Sequence, residues 1–237
     1  MKTSNITVGV DACPSGWFAT VIDRDGVRTE LYEQFETLKE SYTNADLIFV
    51  DIPIGFPEDQ RRRCDVNARD WLGSRGLSVF YPPCRSAVEG KSYKEANEAH
   101  RKQIGHGLSQ QAYSIGPKIE EVNNVIEEQY DGGVCESHPE LCFAALNGQP
   151  IAYSKSSSRG RGIRMELLNN EFDDAKEVYF DARDKYLLKE VRRDDILDSM
   201  VLALAAQDEN LTTVPSDPST TEPRIYYPRF EVPILEK

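Results

Sequence analysis

The sequence predicts an α/β fold: a mixed central sheet in which three antiparallel strands lead into parallel strands, with helices flanking it. In residues 7–22, TVGVDACPSGWFATVI, two strand patterns flank a proline- and glycine-marked turn, as in a β-hairpin. Residues 47–50, LIFV, are a continuous apolar run, which is typical of a strand buried on both faces. Residues 196–206 are almost all apolar or small, which predicts a helix buried on every side.

A third strand and a short helix are predicted between the hairpin and the buried strand. Asp25-Gly26 marks a turn, and residues 27–32 alternate like a third antiparallel strand. Residues 35–42 have the composition of a short helix that crosses back over the sheet. Three antiparallel strands, a helix and a buried strand, in this order, are the pattern of a ribonuclease H-like core.

The chain is predicted to form a single domain over residues 1–237. Residues 58–130 are mostly helical in composition, and we interpret them as an insertion or cap laid over the sheet. Residues 155–162, KSSSRGRG, predict a flexible basic loop, and the prolines after residue 208 predict an extended C-terminal tail that reaches residue 237.

Composition limits the function classes. The 28 Lys and Arg against 40 Asp and Glu give a formal net charge of −12, which disfavours nonspecific binding to nucleic-acid backbones. Two local basic patches oppose that trend, one at residues 61–63 and one around Lys155. No apolar run approaches the length of a membrane span, and the N-terminus lacks a signal-peptide pattern, so the prediction is a cytoplasmic protein that does not enter the membrane. Nothing in the sequence indicates an oligomeric state.

Acidic side chains occupy positions where isolated carboxylates are costly. Asp11 and Asp51 each follow an apolar strand pattern, and Asp198 lies inside the buried helix, where an ionised carboxylate requires a partner. Asp195 lies three residues earlier on the same helical face, and a divalent cation would hold both acids ionised. Asp194 is better explained as a helix cap, whereas Asp11 and Asp51, taken singly, are explained equally well as turn-stabilising acids.

Glu136 adds a further candidate, because it ends a short strand pattern before His138. Glu136 taken alone is better explained as a surface acid before the next helix, and His138 as a structural hydrogen-bonding group. The joint pattern is more specific, since three strand ends and one buried helix each present an acid. Mg²⁺ and Mn²⁺ prefer oxygen ligands of this kind, and such clusters support two-metal hydrolysis of phosphodiesters.

Basic side chains are the candidates for binding substrate phosphates. The predicted phosphate-binding residues are Lys155, Arg159, Arg161 and Arg164, together with Arg63 and Arg69. Each of these residues, considered alone, has the more ordinary alternative of a solvated surface position.

Several motifs carry a resemblance to a known family. They are GVDACPSGW, VDIPIGFP, RCDVNARDWLG with SVFYPPCR, GLSQQAYSI followed by PKI, ESHPELCFAALNG and DDILDSMVLALA, in this order over roughly residues 6 to 206. Together they resemble the predicted RNase H-like nuclease family, also catalogued as domain-of-unknown-function family 429. The resemblance implies a ribonuclease H-like fold.

The spacing of Asp195 and Asp198 is also similar to that of the paired aspartates on the last helix of RNase H-like Holliday-junction resolvases. That similarity implies that Asp11 bridges two metal ions, with Asp51, Asp195 and Asp198 as further ligands and Glu136 as an added candidate.

Three functional hypotheses follow. The leading one is a metal-dependent nuclease in which Asp11, Asp51, Asp195 and Asp198, with Glu136, hold Mg²⁺ or Mn²⁺ and act on nucleic acid. The second is an actin-like nucleotide-binding phosphotransferase, suggested by the Gly9-Val10-Asp11 hairpin, although the chain is short for two such halves. The third is a non-catalytic binding module whose acids are structural.

Overall fold

The structure, a computed structural model, describes residues 5–128 and 133–229. Its centre is a five-stranded sheet in the order β3-β2-β1-β4-β5. The strands are β1 (Thr7–Cys13), β2 (Gly16–Asp23), β3 (Gly26–Tyr32), β4 (Leu47–Val50) and β5 (Val134–Glu136). β1, β2 and β3 pair antiparallel, whereas β4 pairs parallel with both β1 and β5. This mixed sheet, flanked by helices, confirms the predicted fold class and is consistent with a ribonuclease H-like arrangement.

Helices account for most of the remaining chain. Those of the described residues are α1 (Phe35–Ser41), α2 (Arg63–Leu72), α3 (Arg85–Val88), α4 (Tyr93–Ile104), α5 (Gln110–Glu128), α6 (Pro139–Asn147), α7 (Ser158–Glu171), α8 (Ala175–Lys185) and α9 (Arg193–Ala205), with a 3₁₀ turn at Gly73–Ser78. The prediction of a flexible loop over residues 155–162 is wrong for residues 158–162, because α7 begins at Ser158. The Ser157 hydroxyl caps that helix by accepting a hydrogen bond from the backbone N–H of Gly160.

Apolar clusters lie on both faces of the sheet. On one face Phe18 and Phe49 pack with residues of α6 to α9, including Phe143 and Met200. On the other face Trp17 and its neighbours pack against α1 and α5. α9 is buried almost along its whole length, as the apolar run in the sequence predicts.

Helices α2 to α5 lie between β4 and β5, within the segment interpreted as an insertion. They contain an apolar cluster that includes Cys84, Ala96, Ile104 and Ala112. The described part of the predicted tail contains β6 (Leu211–Val214) and β7 (Ile225–Pro228), which pair antiparallel as a separate small sheet. The tail prediction for 230–237 lies outside the described residues, as do positions 129–130 of the predicted insertion. Within the described ranges, no helix has both the length and the apolar character required to span a bilayer.

His100, on α4, makes the stability of the fold depend on pH. Its side chain is buried, and its Nδ1 accepts a 3.1 Å hydrogen bond from the backbone N–H of Cys84. Burial lowers the pKa of His100, and the positive charge of Arg61 lowers it further. The unfolded chain takes up this proton at about pH 6.5, whereas the folded imidazole resists it. The stabilisation is therefore present above that pH and is lost as the pH falls toward the lower folded-state pKa.

We expect His100→Gln to reduce the loss of stability on acidification. Between pH 7 and pH 5, this histidine should account for about 1 kcal/mol of the decrease in unfolding free energy. Denaturant titrations of parent and variant at both pH values measure the effect. His106→Gln serves as the comparison: His106 is exposed and only the last of the three causes that lower the His100 pKa, so this variant should change the pH dependence less. Equal pH dependence in the parent and His100→Gln would contradict the assignment.

Candidate metal centre

Three of the predicted acids meet at the edge of the sheet. Asp11 lies on β1, Asp51 directly follows β4, and Asp198 lies on α9. One carboxylate oxygen from each lies within 4.8 Å of the others. Asp11 and Asp198 are 6% and 0% exposed, whereas Asp51 is half-buried and faces the accessible side of the site. The structure thus brings together two strand ends and one helix, as three of the acid positions predict.

Strand pairing brings Asp11 and Asp51 to the same place. β1 and β4 are parallel neighbours, and residues 7–10 pair in register with residues 47–50. The backbone N–H of Asp51 donates a 2.9 Å hydrogen bond to the carbonyl oxygen of Val10, the residue before Asp11. Because parallel strands end at the same edge of a sheet, strand pairing alone is enough to bring the two carboxylates together.

Helix α9 approaches the sheet very closely, and this approach positions Asp198. A Cβ atom on Gly9 would lie only 2.1 Å from both the Ala203 nitrogen and the Ser199 carbonyl oxygen. Two polar contacts hold the helix against the sheet. The Thr7 hydroxyl donates a 3.1 Å hydrogen bond to the Ala203 carbonyl oxygen, and the hydroxyl oxygens of Thr20 and Ser199 lie 2.7 Å apart. The missing side chain at Gly9 therefore allows the carboxylate of α9 to reach those of the sheet.

Burial and neighbouring negative charge destabilise the ionised forms of Asp11 and Asp198. Burial raises the pKa of Asp11 well above its usual range, and the charges of Asp51 and Asp198 raise it further. Burial also raises the pKa of Asp198 to about 7; Lys155 opposes this rise, and Asp51 adds to it. A cation among these oxygens would remove the repulsion.

Lys155 is the positive group at the cluster. Its ammonium bonds to Oδ2 of Asp198. Burial lowers the pKa of Lys155, but the negative charges of Asp198, Asp11 and Asp51 outweigh burial and raise it well above its usual range. The other oxygen of Asp198, Oδ1, is buried and has no hydrogen-bond partner among the described residues.

The donor set fits a hard divalent cation. Three carboxylates supply oxygen ligands, which Mg²⁺ and Mn²⁺ prefer to nitrogen or sulfur. A buried carboxylate oxygen without a partner costs free energy, and coordination of an ion would supply the missing interaction. Asp11, Asp51 and Asp198 are therefore the described residues that would hold such an ion.

Glu136 lies nearby but is engaged by a different group. Both of its oxygens accept hydrogen bonds from the Arg62 guanidinium, at 2.7 and 2.9 Å, and one also accepts the backbone N–H of Ile54. Arg62 is buried and bonds Asp65 as well. Burial raises the pKa of Glu136 to about 7, although the Arg62 charge opposes the rise. The structure thus places Glu136 in an arginine-centred ion-pair cluster beside the three acids.

Asp195 acts at the start of its own helix. Its Oδ2 accepts a 2.8 Å hydrogen bond from the backbone N–H of Arg192, so the capping role that the sequence favours for Asp194 belongs to Asp195. The three-carboxylate cluster found among the described residues does not include it. Its charge nevertheless adds to the rise in the pKa of Asp11, after burial and the charges of Asp51 and Asp198.

The basic residues around Lys155 have two different environments. Arg164 is fully buried, and its guanidinium binds both oxygens of Glu140 at 2.6 and 2.8 Å. Arg159 is exposed and lies 4.0 Å from the ring centre of Tyr153. Arg161 donates to the Ser156 carbonyl oxygen. Arg159 and Arg161 thus lie on the surface next to the Lys155 loop, whereas Arg164 holds that loop from inside.

The remaining basic candidates lie on α2. Arg63 is exposed and pairs with Glu222 at 2.7 Å. Arg69 lies 4.5 Å from the ring centre of Tyr81, and Arg61 lies 4.0 Å from the same ring. Two guanidinium groups therefore stack on one aromatic ring. Arg61 is not among the phosphate-binding residues predicted from the sequence.

A narrow cleft lies beside the three acids and is lined in part by Asp51. Its lining also includes Phe80, Glu136 and His138. His138 Nδ1 accepts a 3.2 Å hydrogen bond from the backbone N–H of Glu140, which is the structural role that the sequence favours for it. Sequence reasoning missed the role of Arg62 in this region, because in the run Arg61-Arg62-Arg63 nothing marks the middle residue as the buried one.

Comparisons with known proteins assign the chain to a family but do not indicate what reaction or ligand the family has. No curated protein and no solved structure matches the chain. A family model described as a protein of unknown function, DUF429, matches residues 9–220. The match contains Asp11, Asp51 and Asp198, and it covers most of the sequence. The chain therefore belongs to the DUF429 family of proteins of unknown function.

Proposed function

We propose that this protein is a metal-dependent nuclease that hydrolyses phosphodiester bonds in nucleic acid. The observation that carries the proposal is the meeting of Asp11, Asp51 and Asp198 within 4.8 Å, with one buried oxygen of Asp198 that has no partner among the described residues. Buried acids that repel one another, one of them with an oxygen that accepts no hydrogen bond from the described residues, are costly for a merely structural cluster. A site built to hold a cation accounts for that cost.

The three acids would have different roles in the reaction. Bound Mg²⁺ or Mn²⁺ would supply Lewis acidity and lower the pKa of an attacking water. Asp11 and Asp198 hold the buried side of the site, and half-buried Asp51 lies where a substrate can approach from the cleft. In the reaction one water adds to phosphorus, one P–O ester bond breaks, and the departing oxygen gains a proton. The products are a phosphomonoester and a free hydroxyl.

Arginine and aromatic side chains near the site favour nucleic acid as the substrate. Arg159 stacks on Tyr153, whose ring is 38% exposed, next to Lys155. Arg61, just before α2, and Arg69, on α2, stack on Tyr81. Guanidinium groups bind phosphates, and aromatic rings stack on bases, so such pairs suit an unpaired strand. These local features offset the unfavourable net charge of the whole chain.

The test is cleavage of end-labelled single-stranded and duplex DNA and RNA, with Mg²⁺ or Mn²⁺ and with a chelator. We expect cleavage of at least one substrate by the parent, and for Asp11→Asn only the background seen with the chelator. Asp70→Asn is the matched control, because Asp70 is exposed on α2. Equal cleavage by Asp11→Asn and the parent would refute the proposal. Metal and nucleic-acid binding without cleavage would instead favour a non-catalytic binding module.

A further inference from the structure

We propose that this centre binds one divalent ion and that the ammonium group of Lys155 takes the place of a second. The inference rests on the proposed function, because it specifies how the same site reaches the charge needed for phosphodiester hydrolysis. It differs from the two-ion arrangement that the sequence suggests. The argument depends on three observations: the charge of the cluster, the engagement of the neighbouring acids, and the fixed position of the lysine.

The charge of the cluster matches a single ion. Once an ion is bound, Asp11, Asp51 and Asp198 are all ionised and carry three negative charges. The Lys155 ammonium, bonded to Asp198, contributes one positive charge. The remaining two negative charges are neutralised by one divalent cation. A second ion about 3.5–4 Å from the first would leave two positive charges in excess within a largely buried site.

Three further acids among the described residues lie around the site, and each is already engaged. Asp195 accepts the backbone N–H of Arg192 at the start of α9. Both oxygens of Glu136 accept hydrogen bonds from Arg62, and both oxygens of Glu140 accept them from Arg164. These two guanidinium groups are themselves buried. Removing Glu140 from Arg164 would leave an unpaired charge in the interior, and removing Glu136 would break the buried network that it forms with Arg62 and Asp65. Both changes are strongly unfavourable.

The segment that carries Lys155 is held firmly against the protein. The carbonyl oxygen of Tyr153 accepts a 3.2 Å hydrogen bond from Arg164, the same buried side chain that binds Glu140. The carbonyl oxygen of Ser154 accepts 3.0 and 2.7 Å hydrogen bonds from the backbone and hydroxyl of Ser157. Lys155 therefore projects from a fixed turn, and a fixed ammonium can act as a permanent charge in the site.

Asp198 divides its two oxygens between the two positive groups. Oδ2 accepts the Lys155 ammonium, and buried Oδ1 has no partner among the described residues, so it remains for the ion. In hydrolysis, the ammonium would stabilise the negative charge that develops on the phosphate while water attacks. Lys155 needs no proton transfer for this task, because the departing oxygen takes its proton from solvent.

The experiment is calorimetric titration with Mn²⁺ alone, on the parent, on Lys155→Met and on the control Lys102→Met, which removes an exposed lysine of α4. The parent and the control should bind one equivalent with equal affinity. After correction for the protons released on binding, Lys155→Met should bind Mn²⁺ about tenfold more tightly, because a like charge beside the ion has been removed. Cleavage by Lys155→Met at saturating Mn²⁺ should nevertheless fall about a hundredfold.

Opposite changes in affinity and cleavage separate this role from a structural one, because a lysine that only held the loop would weaken both when removed. Binding of two equivalents by the parent, or an exchange-coupled Mn²⁺ electron paramagnetic resonance spectrum, overturns the one-ion inference and leaves the nuclease proposal standing. Weaker Mn²⁺ binding by Lys155→Met also overturns it. Absence of any Mn²⁺ binding in the parent overturns the metal centre, and this inference with it.

Discussion

Replacement of Asp11 by asparagine is expected to abolish saturable Mn²⁺ binding and, at the same time, to stabilise the metal-free protein. The carboxylate is buried, and its pKa is raised first by burial and then by the charges of Asp51 and Asp198. In the absence of an ion, ionisation of Asp11 therefore opposes folding. A neutral amide of nearly the same shape removes this cost, and we expect a gain of about 1–2 kcal/mol in unfolding free energy at neutral pH.

Loss of one anionic ligand should weaken Mn²⁺ binding at least about a hundredfold. Calorimetry measures the affinity, and denaturant unfolding with chelator measures the stability of the apoprotein. Asp70→Asn, at an exposed position, should change neither quantity. An apoprotein that becomes less stable on Asp11→Asn would show that this acid serves the fold, and would argue for the structural alternative.

Gly9→Ala is expected to be the most damaging change to the fold. The added Cβ would lie 2.1 Å from backbone atoms of Ser199 and Ala203, which cannot move without displacing α9 from the sheet. We expect a loss of about 3 kcal/mol or more in unfolding free energy. Because α9 carries Asp198, any variant that still folds should also bind Mn²⁺ more weakly.

Gly162→Ala provides the matched control for Gly9→Ala. A Cβ at this position in α7 meets nothing within 4 Å, so the same substitution should stabilise the helix by about 0.5–1 kcal/mol. Thermal and denaturant unfolding of both variants measure the contrast. Similar stabilities for the two would show that the close contact between α9 and β1 does not constrain the fold.

The fold class and most of the acid cluster can be predicted from the sequence, because they depend on local periodicity. Apolar runs that end in an acid indicate strands whose carboxyl ends meet at one sheet edge, and this places Asp11 beside Asp51. An acid inside an apolar helix needs a partner wherever that helix packs, and this singles out Asp198. The same reasoning is less selective for Glu136 and Asp195, since strand-end and helix-start positions do not reveal which group an acid will meet.

Contacts between distant segments are decided only by the tertiary structure. Arg62 reaches Glu136 across 74 positions of sequence, and Lys155 reaches Asp198 across 43. No periodicity links such pairs, because each depends on how loops and helices pack after the sheet has formed. Burial also distinguishes otherwise similar residues: Arg62 is buried beside exposed Arg63, and Arg164 is buried while Arg159 is exposed. The sequence by itself thus determined the sheet, the buried helix and the presence of acids at the sheet edge. Packing decided which of those acids an arginine neutralises and which remain as candidate ligands for a cation.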